Sequence, residues 1–179
     1  MKDLNNTYLF KALESYPYEL TEAIEALTYA LSYDQENRMA LRLMAQIYSE
    51  QLDDKEMAIE YYQKAIAIDV YSADIYPSYI NELIQIEDFK GAFKAIEFAL
   101  TLKGTDKAHV YYLQAIIFEY KREYKKALSN LKEAKKHAYN SFFITFLEGN
   151  EKRVKEKTGK KKKKAKKKKS KKKKKKKTK

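Results

Sequence analysis

Residues 54–69 read DKEMAIEYYQKAIAID, and their spacing decides the fold. Met57, Ala58, Tyr61, Tyr62, Ala65 and Ile66 fall at i, i+1, i+4, i+5, i+8 and i+9. That pattern is one stripe of an α-helix, with Lys55, Glu56, Glu60, Gln63 and Lys64 off it. The same texture returns over 19–33, 89–102 and 124–136. Polar breaks fall near 34–37, 52–55, 70–74, 86–88, 103–107, 121–123 and 138–141. Short helices with short connections describe antiparallel helical hairpins. Four Gly and two Pro in 179 residues leave little turn chemistry for β-hairpins, so the expected class is all-α.

Working outward, the alanines of this helix recur along the chain. Two alanines seven apart with a bulky residue between them appear as Ala23-Leu27-Ala30, Ala58-Tyr62-Ala65, Ala92-Ile96-Ala99 and Ala127-Leu131-Ala134. Their first members are 35, 34 and 35 residues apart. A small residue every seven positions lets a neighbouring helix approach closely, and the large residue between fills the adjoining gap. Four such triplets in near-constant register indicate tandem repeats of one supersecondary unit.

On these residues the sequence resembles the tetratricopeptide repeat family, a helix–turn–helix unit of about 34 residues. The family's two helix-B alanines match the triplets. Its large helix-A residues match Leu41, Tyr76 and Tyr111, and then Tyr48, Leu83 and Phe118; its small crossing residue matches Ala45 and Ala115. Phe89 and Tyr124 open helix B, with Leu20 in the first unit. The helix-A Gly is missing, being Lys11 in the first unit and Ile80 in the third. The Pro after helix B is replaced by Gln35, Val70, Gly104 and Tyr139, and unit two has an extra residue in its Gln51–Lys55 turn. The resemblance implies a right-handed superhelical solenoid of about four repeats, at 5–37, 38–72, 73–107 and 108–141. A capping helix over 141–153 and a disordered Lys-rich tail over 154–179 would follow, so that 1–150 forms the repeat domain. The first helix A is expected to be short, about Asn6–Ser15, and to stop at Tyr16-Pro17. In the cap, Phe142, Phe143, Phe146 and Leu147 are expected to cover the last hairpin, with Glu148, Glu151 and Lys152 facing water. Gly149 would fray or end that helix.

Charge splits sharply along the chain. The net formal charge is +13, yet residues 151–179 carry +19 and residues 1–150 carry −6. The expected polyanion-binding residues are Lys160, Lys161, Lys162, Lys163, Lys164, Lys166, Lys167, Lys168, Lys169, Lys171, Lys172, Lys173, Lys174, Lys175, Lys176, Lys177 and Lys179. A block of like charges repels itself and has nothing to bury. Its affinity for phosphates would be salt-dependent and blind to base sequence, because no aromatic residue follows Val154.

The resemblance also implies a groove on the A helices, whose wall positions are the second, fifth, ninth, twelfth and thirteenth of each repeat. In unit two these are Met39, Arg42, Gln46, Ser49 and Glu50. In unit three they are Asp74, Pro77, Asn81, Ile84 and Gln85, and in unit four His109, Tyr112, Ile116, Glu119 and Tyr120. The two-Lys, two-Asn clamp of chaperone-binding members is not matched, since only Arg42 and Asn81 have a suitable type. The remaining mixture of polar and aromatic groups suits an extended peptide or a partner helix. Among the 16 tyrosines, Tyr112, Tyr120 and Tyr79 are candidates for a recognition wall. Tyr48, Tyr62, Tyr76, Tyr111 and Tyr124 are expected to pack between helices.

Catalytic chemistry is poorly supplied. The chain has no Cys, and its two His, His109 and His137, are 28 residues apart without acids at ligand spacing. Asp53-Asp54 and Glu87-Asp88 lie in predicted turns, where acids cap the following helix. Isolated glycines cannot cradle phosphate. The expectation is a non-enzyme without cofactor or metal. The N-terminal MKDLNNTYLFKALESYPYELTEA has no apolar core of a secretory signal, and the longest apolar stretch, Val110 to Phe118, is far short of a bilayer span. A cytoplasmic place follows as an expectation, with the lysine run reading as nuclear localisation in a nucleated cell. The leading reading is an adaptor that binds a protein partner in its groove, the tail adding polyanion affinity. The alternative is a nucleic-acid- or ribosome-associated protein in which the tail is the main binding element.

Overall fold

Four helices begin on the same device. The side chains of Asn37, Asp54, Asp88 and Asp106 each accept the backbone N–H three residues on, at 3.1, 3.0, 2.9 and 3.0 Å. Each satisfies one of the donors that a helix start leaves unpaired, a contribution of about 1 kcal/mol. The computed structural model describes the backbone of residues 2–175 and the side chains of residues 7–158. Within them the chain forms α1 (Lys2–Ser15), α2 (Leu20–Tyr33), α3 (Arg38–Glu50), α4 (Lys55–Ile68), α5 (Tyr76–Gln85), α6 (Phe89–Thr101), α7 (Lys107–Tyr120), α8 (Tyr124–His137) and α9 (Ser141–Lys175). No strand occurs among the described residues. The odd helices α1 to α7 are the A helices of four hairpins, and α2 to α8 their B partners. The first helix is not short: α1 begins at Lys2 and is 14 residues long, the same length as α2.

The turns inside the hairpins repeat as faithfully as the helices. Asp53, Glu87 and Arg122 adopt positive φ, at 54°, 60° and 57°. A non-glycine residue in this region is strained by about 1 kcal/mol. The conformation lets the chain reverse while the helix end is satisfied. Asp54 N–H donates to the Tyr48 carbonyl at 2.9 Å, and Glu123 N–H to the Phe118 carbonyl at 2.8 Å. The acid pairs of these turns therefore divide their work, one residue reversing the chain and the next capping the helix.

The chain divides into two units, Met1–Thr105 and Asp106–Lys179. In the first, Leu9, Leu27, Leu43, Met44 and Ile47 gather around Ala12, Ala23, Ala30 and Ala40. In the second, Leu131, Leu147 and Val154 pack with Ala115, Ala127 and Ala134. Every alanine of the four triplets is fully buried, and Leu27, Tyr62, Ile96 and Leu131 between them are buried too. Small side chains bring the helices together, and the large ones supply the apolar area, about 1.5–3 kcal/mol for each fully buried Leu or Ile. Tyr62 and Tyr76 are buried while Tyr48, Tyr111 and Tyr124 are half-buried, which fits packing between helices. The Tyr76 hydroxyl finds the Val70 carbonyl at 2.7 Å.

The C-terminal helix departs from expectation. It does not break at Gly149 and runs past 153, with Val154 still packed among the buried residues of the second unit. Its buried stripe is Leu147, Glu151 and Val154, at i, i+4 and i+7. Phe142, assigned to the cap's inner face, is 82% exposed, whereas Glu151, assigned to water, is buried. Counting back from Val154 along 3.6 residues per turn explains this, since Leu147 shares its face and Phe142 does not. The side chains of lysines 160–179 lie outside the described residues.

Candidate functional site

On the A-helix face of the first unit, the polar groups are committed to one another. Arg42 pairs with Asp74. The Ser72 hydroxyl also donates to Asp74, and with Arg42 it holds that carboxyl below the usual range, against the opposing effect of burial. Gln46 Nε2 donates to both oxygens of Glu50, at 3.1 and 3.2 Å, and the Tyr16 hydroxyl donates to Glu50 Oε2 at 2.7 Å. Ser49 Oγ and Asn81 Nδ2 both donate to Glu82 Oε1, at 2.9 and 3.2 Å. Gln85 is exposed. Ile84, expected on this face, is buried. Tyr79 is tied to α4, its hydroxyl accepting from Gln63 Nε2 at 3.2 Å. A hollow of about 490 Å³ in this unit lies elsewhere, lined by Leu31, Leu41, Tyr61, Lys64 and Ile68, and includes none of the expected groove residues.

In the second unit the expected residues do converge. Tyr112, Ile116 and Tyr120 lie at i, i+4 and i+8 on α7 and line a pocket of about 350 Å³, which Glu119, Arg153 and Lys157 complete. Tyr112 is half-buried and Tyr120 is 56% exposed. The Tyr112 ring stands edge-on to Phe143 and Phe146, at 6.2 and 5.1 Å between centroids, and those two rings stack at 5.8 Å. His109 sits beside them, 6.2 Å from both Tyr112 and Phe143. Burial pushes the His109 imidazole below its ordinary value, with Asp106 opposing, so it is neutral at pH 7. Burial likewise pushes the Tyr112 hydroxyl up.

The cationic side of the pocket was not among the expected residues. Arg153 Nη1 and Lys157 Nζ both donate to Glu119 Oε1. The Glu119 side chain is only 12% exposed, against 48% for Arg153 and 44% for Lys157. Burial alone would raise the Glu119 carboxyl, but hydrogen bonds from Lys157 and Arg153 together with their charges hold it below the usual range. Arg153 follows Glu119 by 34 residues, which is the repeat length, so α9 presents it where a further A helix would. Tyr16 to Glu50 is also 34 residues, and Ser49 to Glu82 is 33. That recurrence, with the i, i+4 spacing of Arg153 and Lys157, is the signal in the sequence that locates the second half of the site.

What the pocket offers is an apolar and aromatic wall, a cationic edge and one carboxylate. Among the described residues no cluster of three or more His, Asp or Glu is placed to hold a metal. His137 stacks on Tyr111 at 5.6 Å, on another part of the hairpin from His109. No helix among the described residues is long and apolar enough to cross a membrane.

No family model and no curated protein matches the sequence. Solved structures do. MamA superposes with a TM-score of 0.67 at 18% identity, over 86% of this chain and 87% of that one. PilF of Pseudomonas aeruginosa gives 0.69 at 16% identity, over 85% and 71%. A chain of the APC/C hetero-tetramer Cut9–Hcn1 gives 0.68 at 19%, over 84% of this chain and 30% of that one. These are tetratricopeptide-repeat structures, and the fold of this chain is theirs.

Proposed function

We propose that this protein is a non-catalytic interaction scaffold that holds a peptide or a partner helix on its A-helix face, centred on the α7–α9 pocket. The observation that carries the reading is the convergence of Tyr112, Ile116 and Tyr120 with Arg153 on one open cleft. Rigid aromatic walls beside a charged edge are the composition of binding hot spots, and the fold neighbour Cut9–Hcn1 is itself an assembly of chains. Arg42, Gln46, Ser49 and Asn81 of the first unit are a separate candidate contact, which would exchange internal hydrogen bonds for bonds to a partner, with exposed Gln85 beside them. The lysines from Lys160 onward would add salt-dependent attraction to polyanions, raising residence without selecting a partner.

The test is a pull-down from native lysate at high salt with nuclease, using the full chain, a Tyr112→Ala/Tyr120→Ala variant and a full-length variant whose lysines 160–179 are glutamine. A defined protein retained by the wild type and the tail variant, and lost with the tyrosines, supports the scaffold. Recovery of nucleic acid or ribosomes alone, lost with the tail lysines, contradicts it and leaves the tail as the binding element. Tail removal must spare residues 151–158, because Glu151 and Val154 are buried.

A further inference from the structure

Helix α8 differs from its three counterparts in what it shows to water. Among the B helices, α2 carries two acids and no base, α4 two of each, and α6 two lysines and one glutamate; α8 carries five lysines and one glutamate. All four bury the same alanine row, so the fold does not call for those lysines. Lys125, Ser129, Lys132 and Lys136 fall at i, i+4, i+7 and i+11, all exposed, on one stripe about 16 Å long. Lys126, Lys135 and Lys136 pair with Glu123, Glu148 and Glu133. Among the described residues Lys125 and Lys132 pair with no acid. Beyond the stripe stand two open rings. Tyr139, three residues after Lys136, is 98% exposed, and Phe142 in the first turn of α9 is 82% exposed. The connection that carries them is held in place: Asn140 Oδ1 accepts the Phe142 N–H at 2.7 Å, and the Asn140 carbonyl accepts the Ile144 N–H at 3.0 Å. Leu147 and Val154 anchor α9, so its packing does not need either ring.

We infer that the outer face of α8 and the α8–α9 connection bind single-stranded nucleic acid, with phosphates along Lys125, Lys132 and Lys136 and unpaired bases on Tyr139 and Phe142. The surface is separate from the α7–α9 pocket and does not rest on the scaffold reading. Charge selects a polyanion and confines it to the second unit. Residues 106–150 hold eight bases against five acids, whereas residues 1–105 hold nine against eighteen. The rings select the class of polyanion. Every base has a π-face that stacks on an aromatic side chain, and only a single strand offers those faces, since a duplex keeps them stacked within. An anionic bilayer fits less well, because a helix lying on it needs an apolar face beside its cations, and the residue inside this stripe is Ser129. The lysines thus supply sequence-independent affinity, and the rings distinguish this surface from one that is merely basic.

Fluorescence anisotropy of a short fluorescein-labelled oligouridine tests this, titrated with a full-length chain whose lysines 160–179 are glutamine, so that the tail does not contribute. Tyr139→Ala/Phe142→Ala is expected to weaken binding about ten-fold while leaving its salt dependence unchanged. Lys125→Gln/Lys132→Gln/Lys136→Gln is expected to weaken it at low salt and to flatten the slope of log K against log salt by about two. All five side chains are exposed, so both variants should melt as the parent does. Lys90→Gln/Lys94→Gln/Lys103→Gln removes the same charge from exposed positions of the first unit and should cost much less. Tyr120→Ala, in the α7–α9 pocket, should leave binding unchanged. No binding by the tail-neutral chain at low salt overturns the site. Equal losses from the two lysine triples reduce the effect to net charge and overturn the stripe. Binding that ignores Tyr139→Ala/Phe142→Ala, or that is tighter for a duplex than for the single strand, overturns the stacking. A loss with Tyr120→Ala as large as with the two rings moves the contact to the pocket and overturns this surface. Anionic vesicles or polyglutamate bound more tightly than oligouridine, with the same dependence on the rings, overturn the choice of nucleic acid.

Discussion

The Ser49 hydroxyl donates to Glu82 Oε1 at 2.9 Å, joining α3 to α5 through a buried carboxylate. Asn81 shares that oxygen, and Lys55 Nζ lies 3.9 Å from Glu82 Oε2, which accepts no hydrogen bond. Glu82→Ala withdraws the acceptor from two donors and is expected to cost about 1–3 kcal/mol. Ser49→Ala removes one donor and should cost about 1 kcal/mol. Urea denaturation measures both, and equal stability of Glu82→Ala and wild type would show that this link does not hold the two helices.

The alanine rows set how closely helices approach. Ala58 and Ala127 are fully buried, so adding bulk by Ala58→Leu or Ala127→Leu is expected to cost about 1–3 kcal/mol. Exposed Lys132→Ala is the control and should stay within about 0.5 kcal/mol. Unchanged melts for both alanine variants would contradict the close crossings.

Gly149 offers the opposite case. It lies inside α9, and a Cβ built there meets nothing within 4 Å. Gly149→Ala is therefore expected to stabilise the protein by about 0.5–1 kcal/mol, through helix propensity alone. A lower melting temperature would mean that the helix is interrupted at that residue.

Val154 tests the reach of the cap. It is fully buried, so Val154→Ala is expected to cost about 2 kcal/mol. A chain ending at 150 should melt below one ending at 158, because only the longer retains Glu151 and Val154. Equal melting of the two would place the end of the folded unit before Val154.

His109 links stability to pH. Its folded pKa is lowered by burial from an ordinary value near 6.5. Between the folded and unfolded values the unfolded chain binds more protons, so stability rises with pH across that window and falls as pH drops below about 6.5. His109→Phe should flatten this part of the profile. A thermal melt series that is flat in the wild type from pH 7 down through the folded pKa would contradict the lowered imidazole pKa.

Much of this architecture was legible in the sequence because it repeats. The triplets from Ala23 to Ala134 mark the B helices, and every member is buried where the register requires. Asp54 and Asp88 cap helices from turns that composition alone marked. The candidate site was legible in part. Tyr112, Ile116 and Tyr120 share one face of α7 by spacing, but Arg153 and Lys157 looked like the start of the charged tail. Helical period does not separate a docked basic helix from a free one; only the burial of Val154 does. Glu82 was equally hidden, since a glutamate in a helix ordinarily faces water, and its burial follows from a partner 33 residues away. Phe142 misled in the other direction, because an aromatic cluster reads as a covering face although only Phe143 and Phe146 join the rings beside Tyr112.

The most direct test of the central claim is site-specific photocrosslinking in native lysate, with a benzophenone amino acid at Tyr120 on α7 and at Lys132 on α8. The account predicts one defined protein crosslinked from Tyr120, absent from Lys132, and unchanged when the lysines of 160–179 are glutamine. Equal crosslinking from both positions, or none from Tyr120 while nucleic acid stays bound to the tail, would contradict it.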